Sequence, residues 1–111
     1  MHVDLRIRDT APRDVLRAHL ERRFRFALSR FGNRVGRVVA RIGRLNGDQG
    51  TKARSCHIEA RLASFGTVAV KDGGTDLFAA IDRAAGRIER LIAHCVERAR
   101  ESKTGGASAG E

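Results

Sequence analysis

Basic residues recur on one side of a predicted helix near the C-terminus. Arg83, Arg87, Arg90, His94 and Arg98 follow one another at spacings of three or four residues. At about 100° per residue, they fall within an arc of about 80° on one helix. The acidic residues of the same segment cancel its net charge but mostly lie outside this arc. This sorting of positive charge onto one side predicts a polyanionic partner.

A second basic flank is predicted on an earlier helix. His19, Arg23 and Arg30 lie on one side of its apolar stripe, with Phe26 among them. If the two helices lie side by side, one flank of each meets in a shared groove, which would focus the field towards RNA phosphates. The sequence leaves open which flank of the first helix faces the second. Phe26 could stack on a base, but we expect an aromatic outside the apolar stripe to pack at the domain rim.

The sequence gives little indication of a metal site or a catalytic site. The pairs Cys56-His57 and His94-Cys95 suggest zinc, but neighbouring residues on a strand point to opposite faces, and Cys95 falls on the apolar seam of its helix. No serine or histidine stands in a recognisable catalytic order, and the glycine-containing loop near residues 46–50 lacks a P-loop lysine. We therefore expect no enzyme activity, no metal, no cofactor and no small-molecule substrate.

The composition is that of one small, strongly basic domain. The chain has 111 residues and a formal net charge of +9, and most of its basic residues are arginines, whose planar fork matches phosphate. No apolar run approaches the ~18 residues of a membrane span, and no secretory signal is visible. Two cysteines in such a chain predict free thiols, and we expect a cytoplasmic protein with no membrane partner.

The hydrophobic periodicity predicts the element order β-α-β-β-β-α. Alternating residues indicate strands, and apolar residues three or four apart indicate helices. The predicted strands cover residues 2–8, 35–45, 53–63 and 67–71, and the predicted helices cover 12–31 and 75–100. Residues 1–101 are predicted to form the α+β domain. Residues 102–111 are small and polar, and we predict a disordered tail.

The strands indicate how these elements pack. Each has one apolar face, so both helices should cover the same side of a four-stranded sheet. The first two strands should be parallel neighbours, and the last three an antiparallel meander. Thr10 and Thr75 are the expected helix caps, and Gly73-Gly74 should end the fourth strand. Arg37, Arg41 and Arg44 form a basic area on the open face, where we expect solvation.

Several local strings resemble the ribosome hibernation-promoting factor and ribosome-associated inhibitor family, also called the sigma-54 modulation protein family. The most specific is Asp76-Leu77-Phe78-Ala79-Ala80-Ile81-Asp82, which is similar to the opening of that family's second helix. Leu45-Asn46-Gly47 and the segment 52–56 also match, and Arg87-Ile88-Glu89-Arg90 fits. The resemblance covers about residues 2–100.

The resemblance implies a fold like a double-stranded-RNA-binding domain, with two parallel helices on the sheet. It also implies binding to 16S rRNA of the small ribosomal subunit, in the channel used by mRNA and tRNA, which would inhibit translation and protect idle ribosomes. By position, Arg23, Arg87, Arg90 and His94 resemble family contact residues. Phe26 stands where relatives often have a basic residue, and His94 replaces a commoner Lys or Arg.

The leading hypothesis is therefore a hibernation factor that contacts rRNA phosphates through both helices. The predicted RNA-binding residues are Arg23, Arg30, Arg83, Arg87, Arg90, His94 and Arg98. The chain resembles the short form of the family, which either acts on single ribosomes or needs a separate factor for ribosome dimerisation. Two alternatives stay open, a general double-stranded-RNA-binding module and a protein-interaction module with an acidic partner.

Overall fold

The computed structural model describes residues 1–45 and 52–109, with side chains described up to residue 100. The element bounds follow in chain order: β1 (His2–Ile7), α1 (Arg13–Leu28), a 3₁₀ helix (Ser29–Arg34), β2 (Val35–Arg44), β3 (Arg54–Leu62), β4 (Gly66–Gly74) and α2 (Leu77–Ala109). The predicted order β-α-β-β-β-α and the α+β class are confirmed. The loop predicted over 46–50 lies outside the described residues, as do residues 110 and 111.

The four strands form one sheet in the order β1-β2-β3-β4. β1 pairs with β2 in parallel, and β2, β3 and β4 form an antiparallel meander, as predicted. Helix α2 packs on β3 and β4, while α1 contacts β1 and lies beside α2. Both helices therefore cover the same face of the sheet.

Apolar residues from that face of the sheet and from both helices make one core. The inward positions of β2 and β3, such as Val38, Ala40, Cys56 and Ile58, are fully buried. The stripe predicted on the first helix is buried along its whole length, from Leu16 to Phe31. Among the described residues, no polar or charged residue is fully buried. The polar groups that could bind a partner are therefore at the surface.

Local details at the element ends differ from the predictions. Helix α1 begins after Pro12 with no side-chain cap, and the Thr10 hydroxyl instead donates to the Arg8 carbonyl oxygen at 2.8 Å. Helix α2 is capped by Asp76, whose Oδ1 accepts from the Ala79 N–H at 3.1 Å. The caps predicted at Thr10 and Thr75 are therefore wrong, because one hydroxyl is used within the preceding loop and a carboxylate reaches the third helical N–H instead.

Strand β4 and helix α2 are both longer than predicted. The strand continues through Gly73, where a Cβ would lie 2.9 Å from the Arg54 carbonyl oxygen, so glycine permits β3 to approach closely. Helix α2 continues to Ala109 and enters the segment predicted to be a tail. The division into a domain over 1–101 and a tail over 102–111 stays a prediction. No helix among the described residues is long and apolar enough to cross a membrane.

Candidate nucleic-acid interface

The contacts between α1 and α2 show that the helices run parallel. His19 Nε2 donates to Asp82 Oδ1 at 2.9 Å, and its ring meets Phe78 edge to face at 4.9 Å between centroids. Farther along α2, Glu89 lies 3.5 Å from Arg30, which belongs to the 3₁₀ helix that continues α1. Because the contacts advance in the same direction on both helices, their N-termini lie at the same end. The flank of α1 that carries His19, Arg23 and Arg30 is therefore the one that faces α2, which the sequence left open.

Two arginines from different helices meet over Gly86 in the groove between α1 and α2. A Cβ built on Gly86 would lie 3.6 Å from Arg90 Nη1 and 3.9 Å from Arg23 Nη2. Arg23 also contacts Asp82, with Nε 3.5 Å from the carboxylate and Nη2 donating to the carbonyl oxygen at 3.4 Å. Its Nη1 is buried and has no hydrogen-bond partner in the described part of the chain. The structure thus brings the predicted residues Arg23 and Arg90 together at one place.

Arg83 and Arg87 point to the other side of α2, towards β4. Arg83 forms two hydrogen bonds with the Asp72 carboxylate, at 3.1 Å and 2.9 Å. Arg87 Nη1 donates to the Lys71 carbonyl oxygen at 2.7 Å and lies 3.8 Å from Asp72 Oδ2. Both side chains remain about half exposed, so part of each guanidinium still faces solvent.

These contacts lower the pKa of Asp72. The Arg83 guanidinium, by hydrogen bonding to the carboxylate, holds the pKa of Asp72 below its usual value, and the Gly73 N–H, which donates to Oδ1 at 2.7 Å, adds to this effect. The same pair raises the pKa of Arg83. Asp72 therefore stays ionised and neutralises part of the predicted basic stripe.

The rest of the stripe is open to solvent. Arg90, His94 and Arg98 are exposed. None of them forms an ion pair within the described part of the chain. Exposed ion pairs elsewhere in the site, such as Arg30 with Glu89, contribute little stability and can exchange for a phosphate. Within the described residues, the predicted stripe thus keeps an exposed part without ion pairs on α2 from Arg90 to Arg98.

The structure adds two features that the predicted site did not include. Phe26 is 84% exposed, so the expectation that it packs at the domain rim is wrong. Arg22, one turn before Phe26, is also exposed and has no ion pair among the described residues. The run Arg22-Arg23-Phe24-Arg25 is the sequence signal that could have indicated Arg22 as a binding residue. Helical periodicity alone, however, assigns Arg22 only to the solvent-exposed side of the helix.

The open face of the sheet carries a second group of charges, which are mostly paired. Asp4 accepts hydrogen bonds from Arg37 at 2.9 Å and from Arg6 at 3.0 Å, and these bonds lower its pKa. Glu59 pairs with Arg41, which lowers the pKa of Glu59. These pairs flank a shallow depression of about 480 Å³. Arg61, which also lines it, is exposed and has no ion pair among the described residues.

The two thiols lie in different surroundings. Cys56 is fully buried in the core, and burial raises its pKa to about 12, with the nearby Asp72 charge adding to the shift. Cys95 lies half-buried on α2, and both thiols are free. No three His, Cys, Asp or Glu side chains cluster as a metal site would require in the described ranges.

Comparisons with known proteins agree with this architecture. A family model described as "Sigma 54 modulation protein / S30EA ribosomal protein" matches residues 3–100. The crystal structure of the Thermus thermophilus Protein Y N-terminal domain has a TM-score of 0.67 and 24% identity, covering 83% of this chain and 96% of that one. A ribosomal subunit interface protein from Coxiella burnetii has a TM-score of 0.72 and 11% identity, covering 87% of this chain and 99% of that one. No curated protein matches the chain significantly.

Proposed function

Because the chain belongs to the sigma-54 modulation protein / S30EA ribosomal protein family, we propose that this ribosome-associated factor binds the small ribosomal subunit in the channel of mRNA and tRNA. In this proposal the protein acts in the cytoplasm by binding alone. Basic side chains of both helices contact 16S rRNA phosphates, and the folded body excludes mRNA and tRNA. Translation stops while the ribosome is preserved.

The observation that carries the proposal is the unpaired basic surface on the outer side of α2. Arg90, His94 and Arg98 are exposed there without an ion pair in the described residues. With no ion pair to displace among the described residues, these side chains can meet the rRNA backbone, which offers one phosphate per nucleotide. The surface thus has the chemistry and the length for several phosphate contacts.

The packing of the two helices supports the same partner. Because α1 and α2 run parallel and side by side, Arg23 and Arg30 lie next to the α2 surface rather than on another side of the domain. Their ion pairs with Asp82 and Glu89 have N···O distances of 3.5 Å, longer than a strong charge-assisted hydrogen bond. Exchange of these carboxylates for phosphate oxygens therefore costs little.

Co-sedimentation with purified small subunits tests the proposal. We expect Arg90→Glu combined with Arg98→Glu to abolish binding, because both residues are exposed and unpaired in the described structure and their charge is reversed. The melting temperature should stay near that of the wild type. Arg61→Glu, on the opposite face of the sheet, is the matched control for the single Arg90→Glu variant, since each reverses the charge of one exposed arginine.

Two outcomes would contradict the proposal. If the Arg90→Glu, Arg98→Glu variant bound small subunits as tightly as the wild type, α2 would not be part of the interface. If Arg61→Glu weakened binding equally, the binding site would lie on the sheet, or binding would depend only on the net charge of the protein. Binding of free RNA duplexes as tightly as small subunits would favour the alternative, a general double-stranded-RNA-binding module.

A further inference from the structure

Phe26 is the most exposed large apolar side chain among the described residues. Its exposed fraction is 84%, against 52% for Val15 and 41% for Phe65. A single exposed apolar residue is common in proteins and needs no explanation by itself. The residues that surround this one are what make it informative.

Arginines occupy the helix surface around Phe26. On an α-helix the neighbours of a residue lie three and four positions away, and within α1 these are Arg22 and Arg23. Arg30 follows in the 3₁₀ helix, where its guanidinium lies 4.5 Å from the centre of the Phe31 ring. The Arg23 Cζ lies 5.7 Å from the centre of the Phe26 ring, within the range of a cation–π contact. The ring therefore stands among positive charges and has no large apolar neighbour on its own helix surface.

We propose that Phe26 is a stacking platform for an unpaired nucleobase of RNA, and that Arg22, Arg23 and Arg30 bind the phosphates beside that base. The inference rests on the proposed function. It specifies that the part of the rRNA bound at Phe26 is an unstacked nucleotide. Aromatic rings accept any base because each base has a π face, and basic residues next to the ring hold the backbone. Arg23 Nη1 is buried with no hydrogen-bond partner among the described residues, so the side chain loses no Nη1 hydrogen bond when it turns outward towards such a phosphate.

An apolar protein partner fits this surface less well. Protein interfaces of that kind use contiguous apolar patches of several hundred Å² rather than one ring. Around Phe26, such a partner would have to bury arginines without counter-charges, which is costly. A nucleotide supplies an aromatic face and a negative charge within one unit.

A tryptophan at position 26 turns the platform into a reporter. The chain has no Trp or Tyr, so Phe26→Trp introduces the sole indole. We expect its fluorescence to be quenched by purified small subunits and by single-stranded oligoadenylate, but not by an RNA duplex of equal length. The control is Val39→Trp, which places the indole on the open face of the sheet, where quenching should be absent. If the Phe26→Trp protein sediments with small subunits but its fluorescence does not change, the inference is wrong.

Affinity measurements separate the π face of the ring from its bulk. Phe26→Leu keeps an apolar side chain but removes the ring, and we expect roughly a tenfold to hundredfold loss of affinity for small subunits. Phe26→Tyr should bind like the wild type, and all these variants should melt at the wild-type temperature because the site is exposed. Wild-type affinity of Phe26→Leu would overturn the inference.

The two proposals fail in different ways. If Phe26→Leu binds normally while Arg90→Glu with Arg98→Glu does not bind, only the stacking inference is wrong. If the wild-type protein does not bind small subunits at all, both proposals are wrong.

Discussion

Arg83 and Asp72 form a two-point ion pair that joins helix α2 to strand β4. The Nε and Nη2 donors of Arg83 meet different oxygens of the carboxylate, and the Asp72 side chain is only 16% exposed. Two parallel hydrogen bonds fix the orientation of both groups more firmly than one contact would. Arg83 is therefore held by the fold, and we expect it to contribute less to RNA binding than Arg90 or Arg98.

Removing the Asp72 charge should destabilise the free protein. Asp72→Asn weakens the bonds to Arg83 and leaves that guanidinium without its counter-charge, so we expect a small fall in the free energy of unfolding, since the pair is partly exposed to solvent. Urea denaturation followed by circular dichroism measures this change. Arg61→Glu serves as the surface control. An unchanged midpoint for Asp72→Asn would show that the pair does not stabilise the fold.

The same pair should make stability depend on pH. The pKa of Asp72 is lowered in the folded protein, so its contribution is fully present above the ordinary carboxyl value and is lost as pH falls through the lowered value. We expect the melting temperature to fall between about pH 5 and about pH 2, and this fall to be shallower in Asp72→Asn. Asp4 and Glu59 titrate in the same direction, so part of the slope should remain. If the melting temperature fell equally steeply with pH in the wild type and in Asp72→Asn, the Asp72–Arg83 pair would not contribute to the pH dependence of stability.

Gly86→Ala should stabilise the free protein. Gly86 lies inside α2, where glycine costs about 1 kcal/mol relative to alanine. The added Cβ would meet only guanidinium nitrogens, at 3.6 Å and 3.9 Å, which is ordinary van der Waals contact. The midpoint of urea unfolding should therefore rise by the equivalent of about 0.5 to 1 kcal/mol. A lower midpoint would mean that Arg23 and Arg90 cannot adjust to a methyl group.

Cys56 should resist alkylation until the protein unfolds. Its thiol is fully buried, and a pKa of about 12 leaves almost no thiolate at mildly alkaline pH. In a Cys95→Ser variant, which has Cys56 alone, iodoacetamide should react only after urea is added. Mass spectrometry gives the extent of labelling. Labelling of Cys56 in the native variant as fast as in urea would place the thiol at the surface.

Binding to small subunits should weaken steeply as salt rises. With about six phosphate contacts, affinity should fall by about a thousandfold between about 50 mM and about 200 mM monovalent salt. Arg90→Gln should bind less tightly at each salt concentration and show a smaller slope, since it removes one contact. Filter binding across the salt series provides both quantities. An affinity independent of salt would argue against recognition through phosphates.

The sequence by itself determined the elements, their order and their buried faces. Alternation along β2 and β3 and the three-to-four spacing in α1 depend on local geometry, so Val38, Ile58 and Leu20 could be assigned to the core without a structure. The parallel pairing of β1 with β2 also followed, because a helix connects them. The predicted helix caps were wrong at both helices, because the Thr10 hydroxyl bonds within the loop before α1 and the Asp76 carboxylate, next to Thr75, accepts the N–H bond at the start of α2.

Only the tertiary structure decided which basic residues are paired. The helical arc treats Arg83, Arg87 and Arg90 as equivalent, but Asp72 is brought beside the first two by the packing of α2 on β4. Likewise, which flank of α1 contacts α2 depends on how the two helices pack on the sheet. The local sequence pattern of each helix does not determine that packing. Charge pairing acts over a few ångströms in space, and residues that meet there are distant along the chain.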